Sequence, residues 1–118
     1  MEAALLVLAG IMGAMGIVLA AASAHGAQGS GLDSAGYLLL IHAAAVIGGT
    51  ALLHQAMLWR TVGLIALCGF VIGGALFAGD VAARAYLGAR LFSMAAPTGG
   101  VILIASWLVL ALAALLAR

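Results

Sequence analysis

The sequence predicts an all-α, polytopic membrane fold, a compact bundle of four transmembrane helices with a short interfacial segment between the third and fourth. Two composition figures predict it, because 68% of the 118 residues are hydrophobic and only 6% are charged. Soluble domains are about 45–50% apolar and about 25% charged. The third observation is four apolar stretches, each near the length of about 20 residues that a bilayer span needs. A soluble globule and a disordered chain are therefore excluded.

The apolar stretches predict four helices within one domain that covers the whole chain. They cover residues 3–24, 34–57, 61–83 and 97–117. The first break, residues 25–31 (HGAQGSG), is a glycine-rich polar loop that does not continue a helix cheaply. Either Asp33 or Ser34 is expected to be the N-cap of the second helix.

The other two breaks differ in length. Residues 59–61 (WRT) predict a very short turn, with Trp59 suited to the membrane interface, so the second and third helices should be antiparallel neighbours. Residues 86–96 are amphipathic around Arg90 and too short to span, which predicts a bent segment on the membrane surface. Pro97 suits the first turn of the fourth helix, where its missing N–H is no loss.

A cleaved signal peptide is the alternative for the first stretch. Residues 22–24 (ASA) resemble a signal-peptidase site after an apolar run. The preceding residues carry Glu2 without lysine or arginine, and the apolar core is too long for a signal peptide. We therefore expect this stretch to be a retained transmembrane helix.

An even number of spans places both termini on one side of the membrane. The arginines do not decide the side, because two lie at each predicted face: Arg60 and Arg118 at one, Arg84 and Arg90 at the other. The N-terminal amine adds one positive charge to the terminal side. We therefore expect cytoplasmic termini in a multi-pass protein.

Small residues recur within the predicted helices, where they allow helix backbones to approach closely in lipid. One stripe of the third helix, at about 100° per residue, contains Gly69, Gly73, Leu76, Phe77, Asp80 and Arg84. The small residues of the first two helices are Gly10, Gly13, Gly16, Ala20, Ala44, Ala45, Gly48 and Gly49. These faces predict tight packing, with Asp80 turned toward the bundle rather than toward lipid.

A polar cluster is predicted where the third helix ends and the fourth begins. Its candidate members are His25, Asp80, Arg84, Arg90, Thr98, Gly99 and Gly100. One interpretation is a site for an anion, a proton or a lipid headgroup. The favoured interpretation is a structural contact in which Asp80 bonds Arg84 or the Thr98–Gly100 segment and holds the two helices together.

The intramembrane polar candidates are His42, Tyr37 and Thr50. His42 lies at mid-membrane depth, so we expect it to be neutral and to make an interhelical hydrogen bond near Tyr37 or to a carbonyl group. A proton or ligand role is the alternative. Haem and metal binding are not expected, because His42 and His54 lie about 18 Å apart on one helix and no HExxH or CxxC motif occurs.

Other chemistry finds little support. The chain has no lysine, so no basic surface for nucleic acid is expected. Cys68 is the only cysteine; it excludes an intrachain disulfide and fits an apolar packing role. Neither a phosphate-binding GxxxxGK[ST] loop nor a nucleophile–base arrangement is present. We therefore expect a protein that is not an enzyme and binds no cofactor.

Several short motifs occur together in a distinctive order. They are Ala24-His25, Tyr37, His42-Ala43, Leu76-Phe77-Ala78-Gly79-Asp80, Ala96-Pro97-Thr98-Gly99-Gly100 and Trp107. With these motifs nearly the whole chain resembles the domain of unknown function 423 family, small membrane proteins related to eukaryotic transmembrane protein 256. The resemblance implies four transmembrane helices in a bacterial inner membrane and no established activity. Many relatives carry serine in place of Asp80 and an aromatic residue in place of Ala82.

The function predicted from the sequence is association within the membrane. We expect a non-enzymatic protein in the lipid bilayer, a homo-oligomer or an accessory subunit of a larger membrane complex, because small-residue faces occur on every helix. The alternative is a minimal transporter or channel for a small solute, ion or proton, with His42 and the Asp80 cluster along its path. A third hypothesis is lipid binding around Arg84 and Arg90.

Overall fold

The computed structural model describes residues 1–26 and 29–118 and contains four α-helices in that part of the chain. They are α1 (Glu2–His25), α2 (Leu32–His54), α3 (Arg60–Leu87) and α4 (Ala95–Leu116). All four are long and apolar enough to cross a membrane. The predicted all-α, four-helix architecture is confirmed, and its composition is consistent with a multi-pass membrane protein.

The start of α2 differs from the prediction. The N-cap is Gly31, whose φ of 83° lies in the left-handed region that glycine adopts without a steric penalty. The expectation of Asp33 or Ser34 was wrong, because the helix already begins at Leu32, whose side chain is fully buried. Asp33 Oδ1 instead accepts the N–H of Ser34 at 2.8 Å. Ala27 and Gln28, in the predicted loop, lie outside the described residues.

The connection between α2 and α3 comprises residues 55–59. The turn predicted at residues 59–61 was placed too late, because Arg60 and Thr61 already belong to α3. Trp59 is half-exposed, and its backbone N–H donates to the Ala113 carbonyl of α4 at 2.9 Å. As predicted, α2 and α3 are packed neighbours joined by a short turn.

The connection between α3 and α4 also corrects the prediction. The segment predicted over residues 86–96 is shorter in the structure, because α3 continues to Leu87 and α4 begins at Ala95, which leaves residues 88–94 non-helical. Residues 82–87 contain three alanines and one arginine, which favour continued helix. Gly88, at φ 68°, then ends α3 in the left-handed conformation. Pro97 lies in the first turn of α4, as predicted.

The helices form a three-helix group with the fourth at its side. α1 packs against α2 and α3, α2 packs against α3, and α4 packs against α3. We call the end that holds both termini and the α2–α3 connection the terminal end, and the opposite end the loop end. At the terminal end Glu2 lies 3.3 Å from Arg60 and 3.4 Å from His54, so its carboxylate joins the ends of α1, α2 and α3.

Close backbone contacts occur where the sequence predicts small-residue faces. A Cβ on Gly16 would lie 2.7 Å from the Gly36 carbonyl oxygen, so α1 and α2 touch backbone to backbone. A Cβ on Gly99 would lie 2.7 Å from the Gly73 carbonyl oxygen, which joins α3 to α4 in the same way. The predicted packing face of α3 along Gly69 and Gly73 is therefore confirmed.

The core consists of two groups of buried side chains, one toward each end. The group nearer the terminal end includes Leu5, Val46, Leu67, Phe70 and Leu103. The group nearer the loop end includes Met12, Leu32, Leu39, Ala78 and Val81. Many large apolar side chains remain exposed on the outer helix faces, which is the surface that lipid would cover.

Candidate functional site

The polar cluster at the loop end is built around Asp80, which is fully buried on the α4-facing side of α3. Its Oδ1 accepts the backbone N–H of Leu91 at 2.9 Å. Its Oδ2 lies 3.4 Å from Nε of Arg84, one helical turn later. Among the buried side-chain oxygens and nitrogens of residues 1–26 and 29–118, Oδ2 is the one without a hydrogen-bond partner.

This geometry makes Asp80 the anchor of the α3–α4 connection. Leu91 lies in a non-helical stretch, so its N–H has no helical carbonyl to bond and the carboxylate satisfies it. The predicted contact with Arg84 is present. The Thr98–Gly100 segment, the other predicted partner, is engaged elsewhere: the Thr98 N–H donates to Met94 and Gly99 packs against α3.

The remaining members of the predicted cluster are partly brought together. Arg84, Arg90 and Gly100 line one cavity of about 320 Å³ between the end of α3 and the start of α4. Arg90 is exposed, and its Nη1 donates to the Ser93 carbonyl at 2.8 Å. His25 is exposed at the end of α1, and no hydrogen bond or ion pair among the described residues joins it to this cluster.

The second polar feature is His42, which is buried near the middle of α2. Its Nδ1 lies 2.8 Å from the Leu38 carbonyl oxygen, and its Nε2 lies 3.0 Å from Nε1 of Trp107 on α4. An indole N–H only donates and a carbonyl only accepts. Nε2 must therefore accept and Nδ1 must carry the proton, so these two bonds require a neutral imidazole.

Phe70 completes an aromatic group with His42 and Trp107. The ring centroids of Phe70 lie 5.4 Å from His42 and 4.7 Å from Trp107, in tilted arrangements that aromatic pairs favour. Since each ring comes from a different helix, the group joins α2, α3 and α4 at one depth. The interhelical hydrogen bond expected of His42 is present, with Trp107 as its donor.

Two further buried polar side chains within the helices bond to their own backbone. Thr50 Oγ1 donates to the Val46 carbonyl at 2.7 Å, and Ser106 Oγ donates to the Ile102 carbonyl at 2.7 Å. Tyr37, the third predicted intramembrane candidate, is instead 57% exposed near the start of α2. The polar side-chain atoms of both His42 and Thr50 therefore have hydrogen-bond partners within the protein.

Trp107, Phe70 and Leu91 were not among the predicted site residues. Trp107 lies ten residues after Pro97, which is deeper in the helix than a tryptophan at the membrane interface would lie. This depth was the feature of the sequence that could have indicated a buried hydrogen-bond donor. The role of Leu91 had no such signal, because the bond uses its backbone N–H, which almost every residue has.

In the described residues the geometry combines four apolar helices, an aromatic–histidine contact in the interior and a carboxylate–arginine cluster at the loop end. In the described part of the chain, no three histidine, cysteine or acidic residues are grouped to hold a metal ion. Comparison with protein-family models, with curated proteins and with solved structures finds no match. The resemblance to the domain of unknown function 423 family stays a prediction.

Proposed function

We propose that the protein is a non-enzymatic inner-membrane protein that acts through helix–helix association, as a homo-oligomer or as an accessory subunit of a larger complex. The observation that carries the proposal is an open small-residue face on α1 and α2. A Cβ added to Gly10 or to Gly48 would meet no atom within 4 Å. Both glycines lie inside helices, where each costs about 1 kcal/mol relative to alanine.

The two glycines belong to one surface. A Cβ on Gly13 would lie 3.9 Å from the Ala43 Cβ, and α1 and α2 run antiparallel, so Gly10 and Gly48 lie at similar depth. Exposed Ala14 and Ala44 flank them. Elsewhere in the molecule, Gly16 and Gly36 receive each other's backbone, and so do Gly73 and Gly99. A second helix from outside the protomer would use Gly10 and Gly48 in the same way.

The transport alternative has less support from the same contacts. His42 has both ring nitrogens bonded, and Thr50 bonds its own helix. A conducting path needs polar groups that face water or the solute. The Asp80 carboxylate is closed off by Leu91 and Arg84 rather than directed into a channel.

The test compares oligomeric state and co-purifying proteins after extraction from native membranes in a mild detergent. Gly10→Leu and Gly48→Leu should dissociate the assembly, because leucine fills the face while remaining compatible with lipid and helix. Ala105→Leu, at an exposed position of α4, is the matched control and should leave the assembly intact. A parent protein that is monomeric and free of other proteins, or three variants that behave alike, would contradict the proposal.

A further inference from the structure

Two arginine side chains share the cavity between the end of α3 and the start of α4. Its volume is about 320 Å³ and its lining is Phe77, Arg84, Arg90, Ala96, Pro97 and Gly100. Three of these residues belong to the first two turns of α4. The arginines come from α3 and from the connection, so the fold brings two separate cationic groups to one opening.

Positive charge in this cavity exceeds the negative charge beside it. Arg84 faces Asp80 through Nε, and Arg90 uses Nη1 for the Ser93 carbonyl, so each guanidinium keeps further N–H donors. Asp80 supplies one carboxylate for two guanidinium groups, and it lies buried behind them. The start of α4 adds the partial positive charge of a helix N-terminus.

Arg84 also lies beside a second helix start. It lines another cavity, of about 450 Å³, together with Gly31 and Ser34 at the beginning of α2. The Arg84 side chain is 43% exposed despite its contact with Asp80. It therefore stands between two positive helix ends with a face open to a ligand.

We propose that the cavity lined by Arg84 and Arg90 binds a phosphate group. A guanidinium group can donate two parallel, charge-assisted hydrogen bonds to the oxygens of a phosphate. Two arginines at the mouth of this cavity therefore supply the donors that a phosphate group needs. A lipid headgroup and free phosphate share this chemistry. The position favours the headgroup, because exposed Leu91 and Phe92 beside the cavity would lie among acyl chains at the end of four apolar helices.

The test uses the purified full-length protein in neutral detergent and counts bound lipid by native mass spectrometry. Phosphatidylglycerol is titrated beside diacylglycerol with the same chains, which lacks the phosphate. The parent should retain one phosphatidylglycerol per protomer and not the diacylglycerol. Arg90→Gln should weaken this binding about tenfold or more. Arg84→Lys keeps the charge beside Asp80 but loses the fork, and should weaken it severalfold.

The controls separate the site from general lipid contact and identify the source of the phosphate. Arg118→Gln removes an arginine at the terminal end and should leave phosphatidylglycerol binding unchanged. Inorganic phosphate is added as a competitor: displacement at millimolar concentration identifies free phosphate as a ligand, and failure to displace identifies the headgroup. Parent-like binding by both Arg90→Gln and Arg84→Lys, or equal loss in Arg118→Gln, overturns the proposal. Circular dichroism verifies that each variant keeps its helical content.

Discussion

At the residue scale, the His42 ring is held by two hydrogen bonds of opposite sense. Nδ1 donates to the Leu38 carbonyl in its own helix, while Nε2 accepts from Trp107 in α4. A protonated ring would place two N–H groups face to face at Trp107 and break this contact. His42, for which the sequence left a proton or ligand role open, thus links α2 to α4 through its ring.

A double-mutant cycle on this link gives the first prediction. His42→Phe should lower the free energy of unfolding by about 1–2 kcal/mol at most, because hydrogen bonds within membrane bundles are worth little net. Trp107→Phe removes the same bond from the other side. The coupling energy should be about 0.6 kcal/mol and should not exceed about 1.7 kcal/mol. The measurement is reversible unfolding in mixed micelles, and strictly additive single effects would show that the bond contributes nothing.

Asp80 gives the second residue-scale prediction. Asp80→Ala should destabilise the protein by about 1–3 kcal/mol, because the Leu91 N–H loses its acceptor in a buried place. Asp80→Asn and Asp80→Ser keep an oxygen acceptor and should cost less. Asp33→Ala removes an exposed carboxylate at the same end of the molecule and is the control. Thermal unfolding in detergent measures all four; if the three Asp80 variants melt like the parent, Asp80 does not anchor the connection.

At the scale of elements, the contact between α3 and α4 depends on the absence of side chains at Gly73 and Gly99. A Cβ on Gly99 would lie 2.7 Å from both the Gly73 carbonyl oxygen and the Phe77 backbone nitrogen. Backbone atoms cannot rotate away as a side chain can, so the helices would have to separate. α4 packs chiefly against α3, which makes this contact the main support of its position.

A pair of adjacent glycines tests this contact. Gly99→Ala should destabilise the protein by about 1–3 kcal/mol through overpacking. Gly100→Ala is the matched control, because its Cβ would meet nothing within 4 Å and alanine favours helix by up to about 1 kcal/mol. The melting temperatures of the two variants should therefore move in opposite directions. Equal shifts would show that the close approach of α3 and α4 is not needed for stability.

The sequence predicts some elements well and others poorly, for physical reasons. The four helices follow from apolar length, and the Gly69–Gly73 face of α3 follows from helical periodicity, so both agree with the structure. The N-cap at Gly31 was missed because the prediction looked for a side chain that caps the helix. Gly31 instead begins the helix through its left-handed backbone and makes no side-chain hydrogen bond. The extension of α3 to Leu87 was missed because an amphipathic segment with one arginine suits a helix end as well as an interface.

At the scale of the whole molecule, most charged side chains lie at the two ends. A few polar side chains lie in the interior, where they form hydrogen bonds. Glu2, His54 and Arg60 meet at the terminal end, while Asp80, Arg84 and Arg90 lie at the loop end. Between them the outer faces are almost entirely apolar. A helix of 24 residues is about 36 Å long, enough to cross a hydrocarbon core of about 30 Å. This arrangement is consistent with a bundle of membrane-spanning helices.

The last prediction concerns the topology of that bundle. Four antiparallel spans place both termini on one side, so single cysteines near Glu2 and at Arg118 should react identically with a membrane-impermeant maleimide. The background is Cys68→Ala, which removes the only native thiol. Ala3→Cys and Arg118→Cys report the terminal end, and Ser93→Cys, in the α3–α4 connection, reports the loop end.

In intact spheroplasts only Ser93→Cys should be labelled, because the termini are expected in the cytoplasm. Labelling of one terminal site without the other would contradict the four-span topology, whereas labelling of both termini and not of Ser93→Cys would keep the topology and reverse the orientation.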